Sequence, residues 1–163
     1  MIGYLTGEVV RTTEKSVLLD VNNVGFLVNI NSRDAQRMPS RGSMVKIFTH
    51  MSVREDDISL FGFIDEEDLD VYKMLINISG VGPKAALSIL SVLSAPELQM
   101  AVLADDAAAI AKAPGVGKKI AQKLILELKD RLDPEQVIGG RLAQGEKRSP
   151  AQWTNRCLRL PRR

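Results

Sequence analysis

Residues 80–90 read GVGPKAALSIL and residues 115–125 read GVGKKIAQKLI. The second stretch repeats the first 35 positions later, counting from Gly80 to Gly115, and aligns Lys84 with Lys119, Ala86 with Ala121, and Ile89 and Leu90 with Leu124 and Ile125. Each copy lies between short segments of helical period, so each reads as a helix, a glycine hairpin and a second helix. Gly80, Gly82, Gly115 and Gly117 admit backbone angles closed to other residues and let a ligand approach the main chain. The helix that follows starts with unpaired amide N–H groups and the positive end of its dipole. Pro83 suits a first helical turn, and Lys84, Lys118 and Lys119 add charge beside it. An anion, most naturally a phosphate, is the expected ligand.

One GVG alone is explained equally well as a turn between helices. Two copies with matching flanks and lysines favour phosphate binding. PGVGKK has the look of a nucleotide-binding P-loop, but the glycine required five residues before Gly117 is Lys112, and the magnesium-binding Ser or Thr is Lys119. Two cradles related by an approximate internal twofold suit the antiparallel strands of duplex DNA. Amides and lysines position a duplex without reading its bases, so binding is expected to be sequence-independent and salt-sensitive.

Around the repeats, residues 64–132 read as a compact bundle of about five short helices. In IDEEDLDVYKMLINI, Leu69, Tyr72 and Ile76 line one face, and the acids from Asp65 to Asp68 favour a helix N-terminus. KAALSILSVL is almost wholly apolar and predicts a buried helix. Ser94 to Glu97 reads as a capping box that opens the next helix, and Asp105 or Asp106 caps the short AAAIAKA segment. KKIAQKLILELKDRL places Ala121, Leu124, Ile125, Leu128 and Leu132 on one stripe.

Residues 1–63 follow a period of two instead. YLTGEVV, SVLLDV, GFLVNI, MVKIFTHMSV and ISLFGF are short, rich in β-branched and aromatic residues, and separated by turn-formers. Asn22-Asn23 suits a tight hairpin, Arg54 to Asp57 a four-residue loop, and NSRDAQRMPSRG a single helical turn. Five strands with that insertion predict a five-stranded OB-type barrel, so the fold class is multi-domain β + α.

Composition sets the outer limits. The 163 residues carry 22 Lys and Arg against 20 Asp and Glu, so any electrostatic argument for a nucleic acid must be local. A single cysteine, Cys157, excludes an internal disulfide framework and a cysteine-based zinc site. The start MIGYLTGEVV lacks a signal-peptide pattern and no apolar run reaches the roughly 20 residues that span a bilayer. The expectation is a cytoplasmic protein with no membrane partner. The 31 residues 133–163 hold the only Trp and the only Cys, seven basic residues against three acidic, and no sustained period. They read as a basic, disordered tail.

The paired hairpins resemble helix-hairpin-helix motifs. Together with MIGYLTG, FTHMSVRED, ISGVGPKAAL and PGVGKKIAQKLILELKDRL in order, they resemble the RuvA family of Holliday-junction-binding proteins over residues 1 to about 132. That resemblance implies an OB-fold domain followed by a tandem helix-hairpin-helix domain, a homotetramer that holds a four-way junction open for recombination and repair, and two such tetramers face to face as a further form. It implies a RuvB ATPase as motor, a RuvC resolvase as a further partner, and no catalytic residue, metal or cofactor in the subunit itself. Carried over position by position, the phosphate contacts are Gly80, Val81, Gly82, Lys84, Gly115, Val116, Gly117, Lys118 and Lys119, with Lys123 one turn further on. An acidic pin near the fourfold axis corresponds to Glu55 and Asp56. The family's third, motor-binding domain has no counterpart in the tail. This puts motor recruitment in doubt and suggests truncation or a shifted reading frame after about residue 132.

Two other functions compete for the acidic stretch VREDDIS at 53–59 and for the barrel. Clustered carboxylates can hold magnesium in a nuclease. Yet Glu55, Asp56 and Asp57 are consecutive, so they point alternately apart, and His50 reads as a strand residue with no partners for catalysis. A single-strand binder needs exposed aromatics. Tyr4, Phe26, Phe48, Phe61 and Phe63 are the candidates, and most are expected in the core.

Overall fold

The structure, a computed structural model, describes residues 1–129. The reading of 133–163 as a tail and of Leu132 as part of a helical stripe falls outside those residues. Strands β1 (Tyr4–Thr12), β2 (Ser16–Val21), β3 (Val24–Ile30), β4 (Met44–Val53) and β5 (Ile58–Phe63) close a barrel in the order β1-β2-β3-β5-β4. Every neighbouring pair is antiparallel except β3 with β5, which the chain reaches by crossing over through α1 (Ser32–Arg37) and β4. This is the expected OB-type barrel. Closure leaves the sheet no free edge.

The alternation along the strands sends Leu5, Val9, Val17, Leu19, Val28, Ile30 and Ile47 inward. β1 runs to Thr12, past the end suggested by YLTGEVV. A bulge between Val9 and Arg11 bends it so that it stays paired with β2. Asn22 and Asn23 take φ of 54° and 65°, the paired left-handed angles of the expected tight hairpin, with Val21 opposite Val24. At the other hairpin, Val53 faces Ile58 and the Arg54 N–H donates to the Asp57 carbonyl at 2.8 Å, closing the expected four-residue loop.

The helices are α2 (Glu66–Ile76), α3 (Pro83–Val92), α4 (Ala95–Leu103), α5 (Ala107–Ile110) and α6 (Lys118–Lys129). Ser94 and Glu97 form the expected capping box at α4. Asp106, whose carboxylate accepts the Ala109 N–H at 2.9 Å, caps α5. Asp105 instead takes φ of 56° and ends α4, where its own amide and that of Asp106 satisfy the carbonyls of Val102 and Ala101.

Two expectations about helical faces need correction. On α2 the buried apolar residues are Leu69, Val71, Tyr72 and Leu75, while Ile76 is only half-buried. The stripe is wider than Leu69, Tyr72 and Ile76 because α2 touches β4 and β5 on one side and α3 and α4 on the other. On α3 only Ala86, Ile89 and Leu90 are fully buried, and Val92 is 38% exposed. Its composition is apolar throughout, but its neighbours cover one side.

The described residues belong to one compact unit, in which barrel and helices meet at several places. Tyr72 of α2 is fully buried against Phe63, Phe61 and His50, with ring centroids 5.0, 5.6 and 5.6 Å away. At another, Ser32 and Arg33 of α1 donate to Ser91 and to the Leu90 carbonyl at 3.2 Å each. The barrel thus seats the helical repeats on a fixed base.

Candidate nucleic-acid interface

The two hairpins repeat each other bond for bond. Ile78 N donates to Leu75 O at 3.0 Å and Ala113 N to Ile110 O at 3.1 Å. Val81 N donates to Ile78 O at 2.9 Å and Val116 N to Ala113 O at 3.0 Å. Ala86 N donates to Gly82 O, and Ala121 N to Gly117 O, at 3.0 Å each. Gly80 and Gly115 take φ of 94° and 83°, where a side chain would be strained. Gly82 does not need that freedom, since its φ of −83° is ordinary. What Gly82 and Gly117 supply is open space, because a Cβ built on either meets nothing within 4 Å.

Val81 and Val116 play a different part from the one expected. Their side chains are buried and their amides are already bound within the hairpin, so they build the turn rather than offer donors. The open donors lie one step on, in the first turns of α3 and α6. There the amides of Lys84 and Ala85, and of Lys118, Lys119 and Ile120, precede the first intrahelical bond. Gly82 provides no side-chain cap to compete for them.

The lysines divide into two kinds. Lys84, Lys118 and Lys119 are exposed and have no ion pair or side-chain hydrogen bond among the described residues. Lys123 donates to the Ser79 carbonyl at 3.0 Å and lies 3.7 Å from the Glu127 carboxylate. The first three present exposed charge beside the open amides; the fourth is tied down.

At the barrel hairpin, Glu55, Asp56 and Asp57 are all exposed. Asp57 accepts a 2.6 Å hydrogen bond from the Ser59 hydroxyl, so it secures the loop. Glu55 and Asp56 have no side-chain partner among the described residues. Val53 and Ile58, at 63% and 69% exposure, form an apolar collar below them.

Sequence reasoning missed a second carboxylate group. Asp34 of α1 and Asp68 of α2 are buried, and with Asp65 they bring their oxygens within 4.8 Å of one another. Arginines supply the positive charge there. Arg37 lies 2.6 Å from Asp65 and 3.5 Å from Asp34, and Arg33 lies 3.8 Å from Asp68. Burial pushes the carboxyls of Asp34 and Asp68 above the usual range, against the pull of backbone N–H groups of Ile64 and Ala95. The group is a structural clasp between barrel and helices. NSRDAQR shows the local cap, in which Asn31 accepts the Asp34 N–H at 2.8 Å, but its distant partners have no short-range signal.

The barrel aromatics also differ from expectation. Phe61 and Phe63 are buried, but Phe26 and Phe48 are only half-buried and Tyr4 is 59% exposed. β1 and β4 bring Tyr4 opposite Phe48, and Lys46 Nζ sits 4.5 and 4.7 Å from the two ring centroids. His50 is a strand residue, as expected, and burial holds its pKa below the ordinary histidine value.

Barrel and hairpins together define the class of proteins that join an OB-type barrel to a tandem helix-hairpin-helix array. A family model described as the RuvA N terminal domain matches residues 1–62, and one described as a SAM-like helix-hairpin-helix tandem matches residues 72–130. A relative from Lachnospira eligens is 45% identical over 147 residues, covering 90% of this chain and 71% of its own. Others from Chlorobaculum tepidum and Methylibium petroleiphilum are 43% and 45% identical, covering 81% and 88% of this chain and 66% and 76% of theirs. All three bear the name Holliday junction branch migration complex subunit RuvA. The chain belongs to the RuvA family. Among the described residues no single helix is long and apolar enough to cross a membrane.

Proposed function

We propose that this chain is a non-catalytic, cytoplasmic subunit that binds four-way DNA junctions by their backbone, as a homotetramer, in recombination and repair. The observation that carries the reading is the duplicated hairpin, in which each copy presents first-turn amides ahead of the first intrahelical bond, an open glycine and at least one exposed lysine without an ion pair among the described residues. Gly80, Gly82, Lys84, Gly115, Gly117, Lys118 and Lys119 form the two phosphate cradles, with Val81 and Val116 as their internal supports. The partners in this reading are a RuvB-type ATPase as motor, a RuvC-type resolvase and, on some junctions, a second tetramer face to face. Stimulation of RuvB ATPase on junction DNA tests the motor partnership.

The direct test compares a four-way junction, a plain duplex and a single strand in gel shifts, alongside a native mass measurement. Tightest binding to the junction by a tetramer, with affinity falling steeply with salt and unchanged between unrelated sequences, is the expected result. Tightest binding to the single strand, lost in Tyr4→Ala, would transfer the function to the Tyr4, Lys46 and Phe48 surface of the barrel.

In the same reading Glu55 and Asp56 are an acidic pin that repels phosphates where strands part. Unit charges a few ångströms apart interact by about 1 kcal/mol in water and more where water is excluded. Replacing Glu55 by Gln and Asp56 by Asn should therefore tighten junction binding by roughly two- to tenfold while reducing strand opening, read by a fluorescent base at the crossover. Weaker binding by this variant would count against repulsion.

A further inference from the structure

The two hairpins are tied to each other by a reciprocal pair of hydrogen bonds. Ser88 Oγ, on α3 of the first copy, donates to the Pro114 carbonyl ahead of the second hairpin at 2.8 Å. Lys123 Nζ, on α6 of the second copy, donates to the Ser79 carbonyl ahead of the first at 3.0 Å. Ser88 and Lys123 occupy equivalent places in the repeat, as do Ser79 and Pro114, each pair separated by the 35 positions that separate Gly80 from Gly115. The bonds are therefore images of one another under the internal twofold, although one donor is a hydroxyl and the other an ammonium.

Their acceptors matter. Ser79 and Pro114 immediately precede Gly80 and Gly115, the two residues whose positive φ turns the chain toward the open amides. Each copy's second helix thus holds the other copy's hairpin at its pivot. Lys123 is steadied further by Glu127.

We propose that Ser88 and Lys123 are positioning residues that fix the separation and orientation of the two phosphate cradles, so that both engage one duplex together. The proposal rests on the duplex-binding reading and assigns Lys123 a role in geometry instead of phosphate contact. Once one cradle has bound, the other meets its phosphate as an intramolecular partner, and its gain depends on how well the spacing is held. Loosening the brace lowers that gain without removing a contact. The number of phosphates neutralised, and so the dependence on salt, stays the same.

The experiment measures binding of the full chain and of Ser88→Ala, Lys123→Met and the double variant to a four-way junction and to plain duplex across a salt series, with a thermal melt of each. Alanine at position 88 is a better helix former than serine, so the fold is expected to survive. Ser88→Ala should weaken binding about three- to tenfold with an unchanged slope of log affinity against log salt. Lys123→Met should behave likewise. A slope reduced by about one in Lys123→Met would show a phosphate contact and overturn its assignment as a brace. Ser88→Ala binding as tightly as the parent would overturn the brace itself. Absence of salt-dependent binding by the parent chain would instead bring down the duplex-binding reading beneath it.

Discussion

Replacing Lys84, Lys118 and Lys119 together by alanine is expected to weaken DNA binding on the order of 10²-fold for each subunit engaged, at about 0.15 M salt. Each phosphate neutralised on a duplex contributes a salt dependence with a slope of about 0.9, worth roughly a factor of five at that concentration. Three such contacts multiply to about 10², and the slope should flatten by about three. Stability should change little, because all three side chains are exposed and without ion pairs among the described residues. The loss should be the same for unrelated DNA sequences, since in the proposed reading lysines and first-turn amides meet phosphates and not base edges. A loss that varied with sequence, or an unaltered slope, would refute the cradles.

The prominence of these lysines follows from what a sequence can display. The hairpins are legible because GVG, its flanking apolar positions and its lysines recur at one offset, and each recurring identity has a local physical cause. Gly80 and Gly115 are needed for a positive φ, and Ile89 and Leu124 for the same buried place in successive copies. The barrel is legible for a similar reason, since strand alternation and the Asn22-Asn23 turn are short-range signals. What one chain does not display is how neighbours spend its groups. Nothing in GVG reveals that the Val81 amide is already bound to Ile78, or that Lys123 reaches back 44 residues to Ser79. Among five aromatics of which most are expected in the core, nothing local singles out Tyr4 as the one that β1 and β4 turn outward beside Lys46. α2 conceals its second buried side because two different layers cover it. Contacts made by neighbouring segments account for most of these failures, and the buried acids are the case with the largest consequence.

Asp34→Ala should destabilise the protein by about 3 kcal/mol at neutral pH, measured by urea unfolding. Asp34 is fully buried, and its carboxylate accepts from Asn31 Nδ2 at 2.9 Å and from the Ile64 N–H at 3.2 Å. Alanine leaves both buried donors without an acceptor, at roughly 1–3 kcal/mol each. Asparagine should cost less, about 1–2 kcal/mol, because Asn31 Nδ2 and the Ile64 N–H donate to the same carboxylate oxygen, which the amide oxygen can replace, while the NH₂ takes the place of the oxygen 3.5 Å from Arg37. The pH dependence has a definite sign. Burial raises the folded pKa of Asp34 above its ordinary value of 3.8, so proton uptake favours the folded state. That contribution is complete below the unfolded pKa and is lost as pH rises through the folded one. The alanine penalty should therefore grow when unfolding is repeated at a pH near 4. A penalty that shrank on acidification would mean that attraction to Arg37 outweighs desolvation. The clasp bears on function because Asp68, within the same cluster, accepts the Ala95 N–H at the start of α4 at 2.9 Å, while Asp34 sits on α1, which links barrel strands β3 and β4. One group of charges thereby joins the body that carries the acidic hairpin to the helices that carry the cradles. Loosening it should blur junction preference before it abolishes binding to plain duplex, because each cradle keeps its own amides and lysines while their placement relative to Glu55 and Asp56 is lost.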